Sequence, residues 1–342
     1  MPIPGLSPSP LPFSMFDLKR DVGAARRADK LANIYHRGQD LIWSGREVFA
    51  ELMTKHGGLH IEDRQRTALG AVLSVLMWGE LAAWKIAAQL ADTLEPLEAK
   101  LAATSQTHDE ARHFYVMHDY LSALGFSAQP LDRRSRVLLD TALLAQDPCL
   151  KIHGMQLLIE SMALTLFQAL RERRVEPVLS ELLLYFEKDE ARHVGLGLQF
   201  LPDEMRKLTR LRAARLLAFQ IELLLAAIAE LKALEPHLAV LGIDAREVFL
   251  LGTAKIALAI EMLWNEQGSV PRGERHPYIA RFLSATGELA FPRDRDSHGW
   301  QRLRDSARAA IHTLRHGAEA SVPASSLDPE AVSVRATAVW DR

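Results

Sequence analysis

The chain has 342 residues with 41 lysines and arginines against 43 aspartates and glutamates, so its formal net charge is −2 and its pI is near 6.7. This balance gives no overall electrostatic reason to expect nucleic-acid binding. Because Cys149 is the single cysteine, the composition excludes an intramolecular disulfide and any cysteine-based zinc or iron–sulfur site. A metal site in this chain must therefore be built from carboxylates and histidines.

The N-terminal segment lacks the basic-then-apolar pattern of a secretory signal, and its proline and serine content predicts an extended arm over residues 1–26. The most apolar stretch runs from Thr67 to Ala91 and contains Glu80 and Lys85, so we interpret it as a buried helix rather than a membrane span. We therefore expect a cytoplasmic protein without a membrane span.

Apolar residues recur at helical spacing and strand signals are almost absent, which predicts an all-α protein. The predicted helices cover residues 27–55, 64–92, 95–124, 132–145, 151–174, 176–200, 204–234 and 245–266, with two shorter ones over 276–287 and 299–316. Pro202 is expected to separate the helix that ends near Phe200 from the next one. The predicted organisation is the arm, a helical domain over 27–266, a loop-rich helical extension over 267–316 and a weakly ordered tail over 317–342.

One sequence pattern occurs twice. The pentapeptide Asp-Glu-Ala-Arg-His stands at positions 109–113 and again at positions 189–193. A lone glutamate interrupts an apolar helix upstream of each copy, and the separation of Glu80 from Glu110 equals that of Glu160 from Glu190. A single Glu-x-x-His is a weak signal, but the identical flanks and the equal spacing make the set specific.

The upstream glutamates need a compensating charge. Glu80 shares the core-facing side of its helix with Leu73 and Leu76, and an ionised carboxylate there costs several kcal/mol unless a cation or strong hydrogen bonds compensate it. Glutamate and histidine at positions i and i+3 are close enough on a helix to reach one metal ion. A pair of divalent cations would neutralise the four glutamates, whereas pairing with arginines and solvated pentapeptide faces are the alternatives.

One glutamate from each of two helices, with Glu-x-x-His from each of two others, is the ligand set of ferritin-like di-iron carboxylate bundles, and residues 64–200 resemble that superfamily. The resemblance implies a ferritin-like four-helix bundle with additional N- and C-terminal helices. It also implies a cofactor of two iron ions, with a manganese/iron pair as the alternative. The implied metal ligands are Glu80, Glu110, His113, Glu160, Glu190 and His193.

The same resemblance suggests roles for the other pentapeptide residues. Glu110 and Glu190 would bridge the two metals. Asp109 and Asp189 stand where many relatives hold an aspartate against the metal-bound histidine of the opposite repeat, a contact that fixes the ring orientation. Ordinary surface aspartates are the alternative. No catalytic residue beyond the metal ligands is predicted.

Other residues near the pentapeptides allow more than one interpretation. Arg112 and Arg192 either pair with the aspartates or point outward. Glu187 lies one turn before the second pentapeptide glutamate, and we prefer an acid outside the ligand set to a seventh ligand. Gly195 and Gly197 are expected to open room for a substrate beside the metals.

The resemblance implies a dioxygen-activating di-iron oxidase or monooxygenase that acts on an apolar or aromatic small molecule. The chain has no Gly-x-Gly-x-x-Gly fingerprint, so an external reductase or ferredoxin is expected to supply electrons. A ferroxidase or other iron-handling protein, a manganese/iron ligand-binding oxidase and a metal-free scaffold are the alternatives. The apolar segment Leu208–Leu234 favours a homodimer.

Overall fold

The computed structural model describes residues 29–266, 277–293 and 299–317. Within these ranges every regular element is a helix, so the predicted all-α class is confirmed. The expected N-terminal arm, the linker over 267–276 and the tail after residue 317 lie outside the described residues.

The helices follow the chain without any intervening strand in the described ranges. They are α1 (Asp29–Asp40), α2 (Gly45–His56), α3 (Asp63–Thr93), α4 (Leu97–Ala123), α5 (Arg133–Leu144), α6 (Pro148–Ile152, a π-helical segment His153–Ile159, then Glu160–Glu172), α7 (Pro177–Arg206), α8 (Arg210–Val240), α9 (Ala245–Glu266), α10 (Pro277–Ala290) and α11 (Gly299–His316). Most predicted boundaries agree with these within a few residues.

Two long helical hairpins form the central four-helix bundle. Helices α3 and α4 make the first hairpin, and the Arg66 guanidinium near the start of α3 donates to the Leu124 carbonyl at the end of α4 (3.1 Å). Helices α6 and α7 make the second, and α7 packs against α4. Each hairpin therefore contains one copy of the sequence repeat, so the repeated glutamates and histidines face each other across the bundle.

The remaining helices cover the bundle. Helices α1 and α2 pack against α4 and α7, α8 packs against α3 and α5, and α9 packs against α6 and α7, with the α10–α11 hairpin behind it. Helix α3 is long and apolar enough to cross a membrane by length and composition, and 61% of its most apolar window is buried inside the fold. That burial favours the interpretation of α3 as a core helix.

Local sequence explains where several helices begin. The Asp132 carboxylate accepts hydrogen bonds from the backbone N–H groups of Arg134 (2.7 Å) and Ser135 (2.9 Å), which caps α5. Pro148 and Pro177 occupy the first turns of α6 and α7, where the missing N–H costs no helical hydrogen bond.

The structure corrects two predicted helix boundaries. The region predicted as one helix over 27–55 is two helices, because the Ser44 hydroxyl accepts from the Glu47 backbone N–H and starts a new helix. Pro202 lies inside α7, which continues to Arg206 instead of ending near Phe200. A proline removes only one helical hydrogen bond, and that loss is tolerated so close to the end of a long packed helix.

Candidate metal centre

The six side chains that the resemblance implies as ligands lie together in the middle of the bundle. Helices α3 and α6 each supply one glutamate, and α4 and α7 each supply a glutamate and a histidine. All six side chains are buried, with at most 4% of each residue exposed: Glu80, Glu110, His113, Glu160, Glu190 and His193.

Their ligand atoms form two groups, and within each group all atoms lie within 4.8 Å of one another. The first group consists of Glu80, Glu110, His113 and Glu190, and the second of Glu110, Glu160, Glu190 and His193. Glu110 and Glu190 belong to both groups, which is the arrangement that two bridging carboxylates would have. The cluster can therefore hold two metal ions.

Both histidines turn the same ring nitrogen toward the carboxylates. His113 Nδ1 lies 3.2 Å from Glu80 Oε2 and 3.3 Å from Glu190 Oε1. His193 Nδ1 lies 3.0 Å from Glu110 Oε1 and 3.3 Å from Glu190 Oε2. This common orientation leaves Nε2 of each ring free to contact a residue on the far side.

The buried carboxyl groups of the cluster differ in the direction in which their pKa values are shifted. Burial raises the pKa of Glu80 and Glu160 well above the usual range, and the neighbouring Glu110 and Glu190 charges raise it further. Burial alone would also raise the pKa of Glu110, but the nearby His193 holds it well below the usual range. The buried site therefore disfavours four unprotonated glutamates without a counter-charge, and bound metal ions would supply that charge.

The donor set fits a pair of first-row transition metals. Carboxylates and imidazoles together suit iron and manganese. Glu110 Oε2 is buried and has no hydrogen-bond partner among the described residues, although buried carboxylate oxygens are almost always satisfied. A metal ion would satisfy this atom and would offset the repulsion between the glutamates.

The pentapeptide aspartates contact the far side of the histidine rings. His113 Nε2 lies 3.0 Å from Asp189 Oδ2, and His193 Nε2 lies 3.4 Å from Asp109 Oδ2. Each aspartate belongs to the repeat opposite its histidine. Such contacts fix the tautomer and orientation of a ligating imidazole.

The two pentapeptide arginines are buried and pair with the aspartates rather than pointing outward. Arg112 Nη2 donates to Asp109 Oδ1 (2.6 Å) and to Asp189 Oδ2 (2.8 Å). Arg192 Nη2 donates to Asp109 Oδ2 (2.8 Å) and to Asp189 Oδ1 (2.7 Å). Burial alone would raise the pKa of Asp189, but the hydrogen bond with His113 and the Arg192 charge lower it to about 2.

Trp43 is part of this network and was not identified from the sequence. Its indole Nε1 donates to Asp189 Oδ2 (2.8 Å), and the Arg112 guanidinium lies 4.6 Å from the centre of its ring. The residue lies between α1 and α2, outside the repeated segments, so the repeat gives no signal for it. The side chain is half-buried and connects the histidine–aspartate pair with the outer part of the fold.

A pair of buried glutamines makes the two halves of the centre different. Gln106 Nε2 donates to Glu160 Oε1 (2.7 Å) and to Glu110 Oε1 (3.1 Å), and Gln156 Nε2 donates to Gln106 Oε1 (3.0 Å). Gln156 lies in the π-helical segment, and π-helical turns occur frequently at functional sites. Neither glutamine was identified from the sequence, because the two repeats do not share them.

The corresponding positions in the other repeat are apolar. When the two pentapeptides are aligned, Phe186 takes the position of Gln106, and Leu76 takes the position of Gln156. The Phe186 ring stacks on His113, with ring centres 4.2 Å apart. One metal position is therefore flanked by amides and the other by an aromatic ring.

The structure shows the surroundings of Glu187 and of the two glycines that follow the second pentapeptide. Glu187 accepts a hydrogen bond from Arg171 Nε (2.6 Å) and belongs to neither group of ligand atoms. Gly197 does not open space for a substrate, because a Cβ atom there would lie 2.9 Å from Gln156 Cβ. It permits close packing of α7 on α6, while a Cβ on Gly195 would make an ordinary contact of 3.8 Å with Ile34.

Space beside the cluster lies on another side, between α3, α5, α6 and α8. A cavity there is lined by Glu80 and Glu160 and otherwise mainly by apolar side chains. Gly79 is part of its wall, and a Cβ atom on Gly79 would meet nothing within 4 Å. A mainly apolar lining with a few polar groups is typical of small-molecule sites.

The fold is similar to that of solved structures. The chain is similar to a Synechococcus protein with aldehyde deformylating oxidase activity (TM-score 0.52, 17% identity, 59% of this chain and 92% of that one). It is also similar to a variant of an R2-like ligand-binding oxidase with an aerobically reconstituted Mn/Fe cofactor (TM-score 0.51, 16% identity, 71% of this chain and 93% of that one). No protein-family model and no curated protein matches the chain. At these identities the likeness shows the fold, a ferritin-like helical bundle, as the sequence predicted.

Proposed function

We propose that the protein is a dioxygen-activating di-iron oxidase or monooxygenase that oxidises an apolar or aromatic small molecule. The observation that carries this proposal is the apolar cavity whose wall includes Glu80 and Glu160, because it brings a substrate directly against the cluster. Two irons held by carboxylates and imidazoles bind and reduce dioxygen when electrons are supplied. The proposed ligands are Glu80, Glu110, His113, Glu160, Glu190 and His193.

The protein's own residues would orient the metal ligands and keep the cluster buried. Asp109 and Asp189 orient the two histidines, and the covering helices keep the side chains of the cluster buried. Both of these similar proteins are oxidases, which supports the same class of chemistry here. An external reductase or ferredoxin remains the proposed electron source, and the half-buried Trp43 offers electrons a route through Asp189 to His113.

The surface of α8 supports the proposed homodimer. Leu217, Ile221 and Leu225 follow one another at intervals of one turn and are 59%, 41% and 61% exposed. A row of exposed apolar side chains on one helix face is typical of an interface. The cytoplasmic location stays a prediction.

A manganese/iron ligand-binding oxidase is the second candidate, and the asymmetry of the cluster favours it specifically. Gln106 donates to Glu160 on one side, whereas Phe186 stacks on His113 on the other. Different surroundings give two metal positions different affinities and potentials, which is what a mixed-metal cofactor requires.

Metal analysis followed by reaction with dioxygen tests the proposal. The protein is loaded anaerobically with Fe(II), or with Fe(II) and Mn(II), and is then mixed with dioxygen with and without apolar candidate substrates. We expect two metal ions per chain, matching the two ligand groups, and dioxygen consumption coupled to an oxidised product. Oxidation of many Fe(II) ions per chain without substrate dependence would favour the ferroxidase alternative, and full activity without metal would refute the proposal.

Filling the cavity at Gly79 is expected to block substrate oxidation without removing the metals. In Gly79→Leu the new side chain enters the open space beside Glu80, while the change from glycine favours the helix by up to about 1 kcal/mol. We expect an unchanged metal content, an equal or higher melting temperature and loss of coupled product. Gly79→Ala is the control, since it has the helical gain without filling the space, and equal product formation in both variants would contradict the proposed substrate position.

Gln106→Leu is expected to weaken one metal position selectively. Glu160, which belongs to one group only, loses the closer amide contact (2.7 Å), while the shared Glu110 loses a longer one (3.1 Å). Metal affinity should therefore fall by about 10- to 100-fold at the position of Glu160 and less at the other. Competitive metal titration should resolve the two affinities. Gln129→Leu, which changes an exposed glutamine whose side-chain amide donates to the Ser127 carbonyl, should leave both unchanged. An equal loss at both positions in Gln106→Leu would count against the asymmetry.

A further inference from the structure

The cavity beside the cluster contains a second polar group that the metal site does not use. Ser135 on α5 and Glu230 on α8 both line the cavity, and Ser135 Oγ donates to Glu230 Oε2 (2.6 Å). They are 2% and 6% exposed. Neither α5 nor α8 supplies a residue to the metal cluster. The wall of the cavity is therefore polar in two separate places, one at Glu80 and Glu160 and the other at Ser135 and Glu230.

A carboxylate in this position is poorly compensated. Within the described ranges no lysine, arginine or histidine forms a salt bridge with Glu230, and Arg134 instead pairs with Asp132. Ser135 offers a single hydroxyl, which also lies 3.1 Å from Asp132 Oδ1. Burial raises the pKa of Glu230, which shows that its surroundings favour a proton or a cationic partner.

Joining α5 to α8 does not require this buried carboxylate. Thr141 and Glu222 connect the same two helices with an exposed hydrogen bond of 3.3 Å. In the interior, an apolar pair of similar size would be equally or more stabilising than a carboxylate without a counter-charge. A carboxylate that faces a cavity and has unused acceptor capacity is instead suited to bind a ligand.

We propose that Glu230 and Ser135 bind a hydrogen-bond-donating head group, an ammonium or a hydroxyl, of a substrate whose apolar body fills the cavity next to Glu80 and Glu160. An ammonium supplies the counter-charge that the Glu230 carboxylate lacks, and a hydroxyl donates a hydrogen bond to this carboxylate. A substrate with a carboxylate head is disfavoured by repulsion. This inference rests on the proposed function, since it names the substrate class for the same cavity.

The test measures binding of four matched probes to the anaerobic, iron-loaded protein by isothermal titration calorimetry. The probes are benzylamine, benzyl alcohol, toluene and benzoate. We expect the amine and the alcohol to bind more tightly than toluene, and Glu230→Leu to weaken both by at least about tenfold while leaving toluene unchanged. Glu222→Leu on the same helix is the matched control and should change none of the affinities.

A second variant separates the hydrogen bond from the charge and guards against misfolding. Glu230→Gln keeps a polar side chain beside Ser135 but removes the negative charge. The alcohol should therefore still bind more tightly than toluene, whereas the amine should not. The inference is overturned when the amine and alcohol bind no better than toluene, or when the Glu230 variants weaken all probes equally. Product formation with dioxygen is measured separately: indifference to the head group in an active enzyme refutes only this inference, whereas head-group discrimination without any dioxygen reaction refutes only the proposed function.

Discussion

Replacing Glu190 with alanine is expected to abolish the reaction with dioxygen, by at least about a hundredfold, and to leave at most one metal ion per chain. The reason is geometric, because the Glu190 carboxylate belongs to both groups of ligand atoms and its loss weakens both positions. Glu80→Ala affects only one group and should retain one metal ion. Metal content by mass spectrometry and dioxygen consumption by electrode measure both effects.

Glu187 offers a matched control on the same helix. It lies one turn before Glu190, but its carboxylate accepts from Arg171 and does not reach either group of ligand atoms. Glu187→Ala should therefore keep both metals and the activity. Two metals retained in Glu190→Ala, or lost in Glu187→Ala, would contradict the assigned ligand set.

The fold and the meeting of the six side chains were predictable because the relevant signals are local and repeated. A glutamate on the buried face of an apolar helix needs a compensating cation or strong hydrogen bonds. The same offset relates Glu80 to Glu160 and the first pentapeptide to the second. Equal spacing in two hairpins requires their polar residues to meet at one level of the bundle. The structure has this arrangement.

The differences between the two halves could not be predicted in this way. Gln106 and Gln156 have apolar repeat mates, so a comparison of the repeats discards them, and the π-helical turn that contains Gln156 has no simple sequence signature. Trp43 reaches Asp189 only because the helical structure is interrupted between α1 and α2. The cavity wall at Ser135 and Glu230 depends on how α5 and α8 pack, which is a long-range property.

The metal-free protein should lose stability when one aspartate of the buried charge network is removed. Asp189→Ala takes away the acceptor shared by Arg112, Arg192, His113 and Trp43, and breaking a buried charge pair in this way costs about 3–5 kcal/mol. Denaturant-induced unfolding of the metal-free protein measures this cost independently of metal loss. Asp63→Ala, whose fully exposed carboxylate lies 3.6 Å from Arg66, is the control and should unfold like the unmodified protein.

A double variant identifies the physical origin of that cost. Asp109 and Asp189 balance Arg112 and Arg192 in a buried network without net charge, so Asp189→Ala leaves one positive charge uncompensated. Adding Arg112→Leu removes that charge, and the double variant should be more stable than Asp189→Ala alone because the two changes are coupled. If the second change destabilises the protein further by its full separate cost, the two residues act independently. The aspartates then serve to orient the histidines rather than to neutralise the arginines.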